Sequence, residues 1–332
     1  MDNTDLVNQE IESVEKLNHK VKSLKEEIGK VIVGQNDIIE QLLIALFSKG
    51  HCLLVGVPGL AKTLLIKTLA EATNLKFSRI QFTPDLMPSD ITGTEILDED
   101  QITKKRSFRF IAGPIFANVI LADEINRTPP KTQSALLEAM QEHRLTAAGM
   151  TYTLEEPFFV LATQNPIEQE GTYPLPEAQL DRFMFNLWLD YPSFKEEIKI
   201  IQNTTSEYSP KINKVVSSEE IIEFQNLVRK VPVAENVIEY AVKAANMTRP
   251  GNNSLKSVNQ WISWGAGPRA SQYLILASKA KAVMDGRFTP NIDDLKAAMI
   301  PVFRHRIITN FNAEAEGVNP VGVIENIIKE LS

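Results

Sequence analysis

Residues 56–64 read Gly56-Val57-Pro58-Gly59-Leu60-Ala61-Lys62-Thr63-Leu64, between the apolar run Cys52–Val55 and the helix-like segment Leu65–Ala70. Glycines in such a loop let backbone N–H groups turn towards an anion at the helix N-terminus, where the helix dipole also favours negative charge. Lys62 can reach the β- and γ-phosphates of a nucleotide, and the Thr63 hydroxyl can bind Mg²⁺. We therefore predict that residues 56–64 form a phosphate-binding loop. The generic pattern has Gly before the Lys; Ala61 still keeps the loop small.

The composition is that of a soluble globular protein. The chain has 332 residues, 43% of them hydrophobic and 23% charged, which is enough for a core and for two domains. No apolar run approaches the roughly 18 residues of a spanning helix, and the start of the chain lacks the pattern of a signal peptide. We expect a cytoplasmic protein without membrane insertion.

Charge and cysteine content exclude several kinds of site. The net charge is −7, from 35 basic and 42 acidic residues, so no nucleic-acid partner is expected. A single cysteine, Cys52, allows no internal disulfide, and the four histidines lack metal-ligand spacing. The one dense basic run, Lys104-Lys105-Arg106, is typical of a solvated turn.

Residues 1–30 form an amphipathic pattern. Val7, Val14, Val21 and Ile28 recur at heptad spacing, which predicts a helix with one apolar face. Such a helix can pair as a coiled coil or pack on the body of the domain. The repeat is short, so we favour packing on the body.

Strands and helices alternate from about residue 31 to residue 190, which predicts a parallel sheet sandwiched by helices. The predicted strands are Leu53–Gly56, Phe77–Phe82, Val119–Ala122, Phe158–Thr163 and Met184–Leu189. The strand pattern stops after Tyr191-Pro192. The predicted helices that follow are Phe194–Gln202, Ser218–Val231, Ala234–Met247, Arg269–Met284, Ile292–Arg304 and Val321–Leu331, with Ser218 as an N-cap and Gly286 as a helix stop. We predict two domains, residues 1–190 and 191–332, the second all-helical.

Two hairpins are predicted within the α/β region. The segment Pro84–Ile115 indicates a short helix followed by a hairpin inserted between the second and third strands. Arg144–Thr146 and Thr151–Leu154 flank a short turn and indicate a second hairpin before the fourth strand.

The strand Val119–Ala122 ends in two carboxylates, Asp123 and Glu124, where ligands sit in parallel sheets. Asp123 can support Mg²⁺ directly or through a water molecule, and Glu124 can polarise the water that attacks the γ-phosphate. Asn165 ends the next strand and can bridge the γ-phosphate to that water. An acidic strand cap and a turn asparagine are the plainer alternatives.

Two arginines have contexts that suit the charge of a transferring phosphoryl group. Arg182 lies in Leu180-Asp181-Arg182-Phe183, and Arg269 lies in the segment Gly265–Ser271 that opens a helix. Either could instead form a surface ion pair.

In this order, the motifs closely resemble those of the MoxR family of AAA+ ATPases over nearly the whole chain. The matching segments are GVPGLAKT, ILADEINRTPPKTQSALLEAMQE, ATQNP, LDRF, GPRAS and Ile32-Val33-Gly34-Gln35. The resemblance implies a P-loop NTPase core of the AAA+ type followed by a helical lid, with Val33, Gly34 and Gln35 contacting adenine.

The resemblance also implies roles for the polar residues. Asn165 corresponds to sensor 1, Arg182 to the arginine finger offered to a neighbouring subunit, and Arg269 to sensor 2 on the lid. Arg127 would face a subunit interface. The first inserted hairpin corresponds to the helix-2 insert of the family, and the second to its pre-sensor-1 hairpin.

The implied activity is Mg²⁺-dependent ATP hydrolysis by a homo-oligomer, expected to be a hexameric ring. By resemblance, such a ring remodels or matures a protein client together with a partner that carries a von Willebrand factor A domain. One alternative is a helicase-like, DNA-processing AAA+ motor, which the acidic net charge disfavours. Another is a nucleotide-gated binding module without turnover, although a pure switch needs no water-activating carboxylate such as Glu124.

Overall fold

The computed structural model describes residues 3–99, 106–168, 171–207, 210–252 and 254–331, with side chains from residue 11 onward. Lys104 and Lys105 of the basic run lie outside these ranges. Among the described residues, no helix has both the length and the apolar character needed to cross a membrane.

The elements follow in the order of the chain. The helices are α1 (Asn3–Gly29), α2 (Asn36–Phe47), α3 (Lys62–Ala72), α4 (Pro88–Thr92), α5 (Pro130–Glu142), α6 (Glu177–Leu180), α7 (Phe194–Thr204), α8 (Ser218–Lys230), α9 (Glu235–Met247), α10 (Lys256–Trp261), α11 (Pro268–Met284), α12 (Ile292–Phe303), α13 (Phe311–Ala315) and α14 (Pro320–Glu330). The strands are β1 (Cys52–Gly56), β2 (Phe77–Gln81), β3 (Gly93–Glu99), β4 (Arg106–Ala112), β5 (Val119–Asp123), β6 (Arg144–Ala147), β7 (Met150–Thr153), β8 (Phe159–Gln164), β9 (Phe185–Leu189), β10 (Ile262–Trp264) and β11 (Ile308–Thr309). A 3-10 turn spans Ile125–Arg127.

Five parallel strands form the central sheet in the order β2-β5-β8-β1-β9. Alternate residues of a strand point to opposite faces, and both faces are covered. Leu54 and Leu161 join a core built with α1, α2 and α3, whereas Leu53 and Val160 join a second core built with α5. Both faces of the sheet are therefore buried, as the near-continuous apolar strands predicted.

The predicted fold class is confirmed. Each of the five predicted strands is present, with bounds within one residue of the prediction. The six predicted C-terminal helices correspond to α7, α8, α9, α11, α12 and α14. The helical region also contains α10, α13 and an antiparallel ribbon of β10 and β11, which the sequence pattern did not predict. Elements of two to six residues are too short to show a periodicity.

One predicted cap is wrong by a residue. Ser217, not Ser218, caps α8, because its side chain accepts a hydrogen bond from the Glu220 amide. The predicted stop at Gly286 is confirmed: the residue has φ 80°, two positions after the last residue of α11.

Both predicted hairpins are present. In the second, Ala148 and Gly149 have positive φ angles and connect β6 to β7 in a two-residue turn. The two hairpins meet where Phe110 of β4 stacks on Tyr152 of β7, with ring centroids 4.4 Å apart. The first inserted hairpin therefore packs against the second hairpin.

Helix α1 packs within its own chain. Val14, Val21 and Ile28 are buried in the first core, and the Asn18 amide donates a 2.6 Å hydrogen bond to the Met284 carbonyl of α11. The described apolar face is therefore covered by the body of the protein. The same core continues from the sheet into α8, α9, α11 and α12. The domain boundary after residue 190 stays a prediction.

Candidate active site

The carboxyl ends of the parallel strands bring most of the predicted site residues to one edge of the sheet. Gly56 pairs with Leu189, Val55 with Gln164, and Gln81 with Asp123. The residues that follow β1, β5 and β8 are the phosphate-binding loop, Glu124 and Asn165. Ligands of parallel α/β sheets bind at this edge.

The loop has the backbone geometry of an anion cradle. Gly59 has φ 87° and Ala61 has φ 58°, and α3 begins at Lys62. In the described part of the chain, the amides of the first turn, at residues 62–64, donate to no backbone carbonyl. A Cβ on Gly56 would lie 3.0 Å from the Leu189 Cβ, so glycine lets the loop leave the sheet close to β9. These free amides at a helix N-terminus can bind phosphate oxygens.

Lys62 folds back onto the loop. Its Nζ donates a 2.6 Å hydrogen bond to the Gly56 carbonyl. Burial lowers the pKa of Lys62, and the negative charges of Asp123, Glu124 and Glu168 oppose that shift. The Lys62 ammonium group therefore interacts electrostatically with these three carboxylates.

Ala61 stands in a left-handed conformation that favours glycine. We expect Ala61→Gly to raise the free energy of unfolding by about 1 kcal/mol, because the strain of the Cβ outweighs the added freedom of the unfolded chain. Ala297→Gly is the matched control, since this exposed alanine inside α12 should cost about 1 kcal/mol. Urea unfolding measures both. A loss of stability in Ala61→Gly would contradict the strain argument.

The acidic pair is fixed by its neighbouring strands. The Asp123 carboxylate accepts hydrogen bonds from the Thr163 hydroxyl at 2.6 Å and from Arg79 Nη2 at 2.5 Å. The Thr163 oxygen in turn accepts the Glu124 amide at 2.9 Å. Glu124 has φ 57°, an unfavourable angle for this residue type, and stands at the N-cap of the 3-10 turn that follows. The strained backbone angle thus belongs to the predicted water-activating residue, at the point where the chain leaves β5.

Two side chains hold the Glu124 carboxylate. Its Oε2 accepts a hydrogen bond of 3.0 Å from Gln81 Nε2 and forms an ion pair with Arg127 Nε, also at 3.0 Å. Arg127 also pairs with Glu168, and this hydrogen bond is the main reason why the pKa of Glu168 is lowered. Arg127, predicted for a subunit interface, thus contacts two carboxylates of its own site.

Sequence reasoning missed four of these contributors: Arg79, Gln81, Thr163 and Glu168. Gln81 carried a usable signal, because it ends the strand beside the one that ends in Asp123. Neighbouring parallel strands end at the same edge of the sheet, so polar residues at their carboxyl ends lie close together. Gln81 could therefore have been found from the strand pattern.

Asn165 is buried at the end of β8. Its Oδ1 accepts the Ile167 amide at 3.2 Å, and its side chain also bonds to Glu168. Asn165 follows Thr163 by two residues, and Thr163 hydrogen-bonds to both Asp123 and Glu124.

Thr63 and Asp123 suit a Mg²⁺ ion. Both supply oxygen ligands, and Asp123 Oδ1 accepts one hydrogen bond, which leaves a lone pair for a cation or its water. No group of three or more His, Cys, Asp or Glu side chains that could hold a metal occurs in the described ranges. A cation here would complete its shell with water and phosphate oxygens, as Mg²⁺ commonly does.

The predicted adenine-contacting residues line a cleft beside the loop. The cleft has a volume of about 370 Å³, with Val33 and Gln35 on one wall and Trp188–Pro192 and Glu196 on the other. Gly34 has φ 71°, and a Cβ there would overlap the Glu196 carboxylate. Leu189 of this cleft is the residue that approaches Gly56, so cleft and loop are adjacent.

Arg182 and Arg269 lie elsewhere. Arg182 precedes β9, whose first residue pairs with Cys52 at the amino end of β1, whereas the loop follows the carboxyl end. The length of β1, about 13 Å, separates the two edges. Arg182 donates a 2.6 Å hydrogen bond to the Leu137 carbonyl, and Arg269 pairs with Asp181 at 2.7 Å. The structure thus brings these two arginines together, away from the loop of their own chain.

Comparisons with known proteins agree with this geometry. Residues 51–185 match the family described as "ATPase family associated with various cellular activities (AAA)", and residues 256–327 match the AAA lid domain. The chain is 41% identical to Chaperone MoxR1 of Mycobacterium tuberculosis over 92% of this chain and 80% of that protein. It is 28% identical to Protein MoxR of Methylorubrum extorquens over 85% of each.

A crystal structure of a candidate ATPase from Cytophaga hutchinsonii superposes with a TM-score of 0.91 at 43% identity, and the match covers 98% of both chains. The sequence relatives and the structural neighbour match the core and the lid together. This chain belongs to the MoxR family of AAA+ ATPases.

Proposed function

We propose that this protein hydrolyses ATP with Mg²⁺ and uses the energy to remodel a protein client. The observation that carries the proposal is the meeting of the phosphate-binding loop, the acidic pair and Asn165 at one edge of the sheet. A phosphate-binding switch without turnover would not need a strained Glu124 whose carboxylate is held by a hydrogen bond from Gln81 and an ion pair with Arg127.

In this mechanism, the free amides of the loop bind the phosphates, and Lys62 exchanges the Gly56 carbonyl for a phosphate oxygen. Thr63 and Asp123 would hold Mg²⁺, which would supply positive charge to the phosphates. Glu124, held by Gln81 and Arg127, accepts a proton from the attacking water. Asn165 orients that water against the γ-phosphate. Adenine occupies the cleft at residues 33–35.

We further propose that the site is completed by a neighbouring copy of the chain. Arg182 and Arg269 lie at the edge of the sheet opposite their own loop, and a fixed guanidinium suits the charge of the transition state. A head-to-tail interface would bring them to the next subunit, and such an interface repeats into a closed ring. The family resemblance makes a hexamer the expected size.

Client and partner follow from family resemblance alone. A relative named as a chaperone supports a remodelling role, and a partner with a von Willebrand factor A domain is the expected adaptor. A cytoplasmic location belongs to the same proposal.

The first test removes the phosphate-binding cation. Lys62→Ala should raise the Kd for ATP at least about tenfold, since a charge-assisted contact to phosphate contributes about 1.5 kcal/mol or more. Lys67→Ala is the matched control, because Lys67 lies exposed on the same helix. Binding is measured by equilibrium titration with a fluorescent ATP analogue. Normal affinity in Lys62→Ala would defeat the assignment of the loop.

A second measurement separates the proposed function from its alternatives. The steady-state rate of ATP hydrolysis per subunit should rise with protein concentration, because a shared site forms only on assembly. This rate should not respond to added DNA. Stimulation by DNA would favour a helicase-like motor. Nucleotide binding without turnover at every concentration would favour a gated binding module.

A further inference from the structure

The segment Asp181–Met184 carries Arg182, and each of its four backbone carbonyls accepts a hydrogen bond from a side chain of the C-terminal helical region. Arg306 donates to the carbonyls of Asp181 at 2.9 Å, Phe183 at 2.7 Å and Met184 at 3.3 Å. Tyr273 donates its hydroxyl to the Arg182 carbonyl at 3.3 Å. The distance from His305 Nε2 to the Phe183 carbonyl is 3.0 Å.

Arg306 is the centre of this contact. It is 6% exposed, and all five N–H groups of its guanidinium donate: Nε to Asp181 Oδ1 at 2.7 Å, Nη1 to the carbonyls of Met184 and Val302, and Nη2 to those of Asp181 and Phe183. Its Cζ atom also lies 5.1 Å from the centre of the Tyr273 ring. A planar fork with every donor used fits only one conformation of the segment.

The surroundings restrict the segment further. Phe183 and Met184 are fully buried, and the second carboxylate oxygen of Asp181 accepts Arg269 Nη1. The backbone on both sides of Arg182 is therefore fixed by α11 and by the residues after α12, while the half-buried Arg182 side chain reaches the Leu137 carbonyl of α5. A buried charge needs such partners, but its stability does not require that four of its five acceptors belong to one four-residue segment.

We propose that Arg306 is the positioning residue for Arg182: the helical lid of each subunit sets the direction of the arginine that this subunit offers to its neighbour. The inference rests on the proposed role of Arg182. It adds that the lid controls hydrolysis at the next site in the ring through Arg306 and Tyr273.

The test compares hydrolysis with binding. Arg306→Lys keeps the charge but loses the fork, and we expect kcat to fall about tenfold to a hundredfold, as a displaced catalytic group would cause. Tyr273→Phe keeps the ring under Arg306 and loses only the hydrogen bond to the Arg182 carbonyl, so kcat should fall about two- to tenfold. In both variants the Kd for ATP should stay within about twofold of the wild type, because the loop is at the other edge of the sheet.

The decisive measurement is a double-mutant cycle with Arg182→Ala, read by single-turnover hydrolysis. If Arg306 acts through Arg182, Arg306→Lys causes no further loss once Arg182 is absent. A further loss of the same size in the double variant, or normal kcat in both Arg306→Lys and Tyr273→Phe, overturns the inference. Wild-type hydrolysis by Arg182→Ala alone would instead overturn the proposed finger, and with it the basis of the inference.

Arg287→Lys is the matched control for a lid arginine. Arg287 pairs with the buried carboxylate of Asp294 by two hydrogen bonds but touches no part of residues 181–184 in the described contacts. Hydrolysis by this variant should equal that of the wild type. Loss of kcat here would mean that general loosening of the lid explains the effect, and the specific role of Arg306 would be withdrawn.

Discussion

Glu124→Gln should bind ATP as the wild type does and hydrolyse it about 10² to 10⁴ times more slowly, the usual contribution of a positioned base. The amide keeps the size of the side chain and can still accept the hydrogen bond from Gln81 through its oxygen. It cannot accept a proton from water. Equilibrium titration and single-turnover hydrolysis separate these two effects.

Glu138→Gln provides the control for removing one carboxylate. Glu138 is exposed on α5, outside the predicted site, and its variant should hydrolyse ATP at the wild-type rate. A kcat for Glu124→Gln within about tenfold of the wild type, a change of ~1.4 kcal/mol in the barrier, would exclude Glu124 as the base. Loss of ATP binding in that variant would point to a structural role for the carboxylate.

The fold was predictable because its signals are local. Cys52–Val55 and Val119–Ala122 are apolar at every position, which is typical of strands buried on both faces. The loop after β1 was predictable for the same reason, because its glycines, Lys62 and Thr63 fall within a few consecutive residues. The same holds for Asp123, Glu124 and Asn165, which directly follow buried strands, and their meeting at one edge follows from the parallel arrangement.

Most contacts that organise the site were not predictable, because they join residues far apart in the chain. Arg79 reaches the acidic pair from a strand 44 residues earlier, whereas the position of Gln81 at the end of that strand could be found from the strand pattern. Arg306 lies 125 residues after Asp181. Nothing in the local pattern around Arg306 distinguishes it from an arginine at a helix end. Such contacts depend on how the lid packs against β9, which periodicity does not encode.

Arg182→Ala should bind ATP almost normally and hydrolyse it about 10³ to 10⁵ times more slowly, the effect of removing an arginine finger supplied by a neighbour. Its position supports this expectation, since it precedes β9 and is separated by the length of the sheet from its own loop. Arg229→Ala, on the exposed face of α8, is the control and should keep full activity. Full activity of Arg182→Ala would exclude the finger.

A mixing experiment tests the geometry of that finger. Arg182→Ala subunits keep an intact loop, and Lys62→Ala subunits keep an intact finger, so a mixed ring contains some interfaces at which a competent loop meets a competent arginine. Hydrolysis should therefore reappear when the two inactive proteins are mixed, with a maximum at an intermediate ratio. If the two proteins assemble together but stay inactive at every ratio, either Arg182 acts within its own subunit or the ring requires concerted turnover. The separation of Arg182 from its own loop argues against the first of these explanations, so that result would shift attention to coupling between sites.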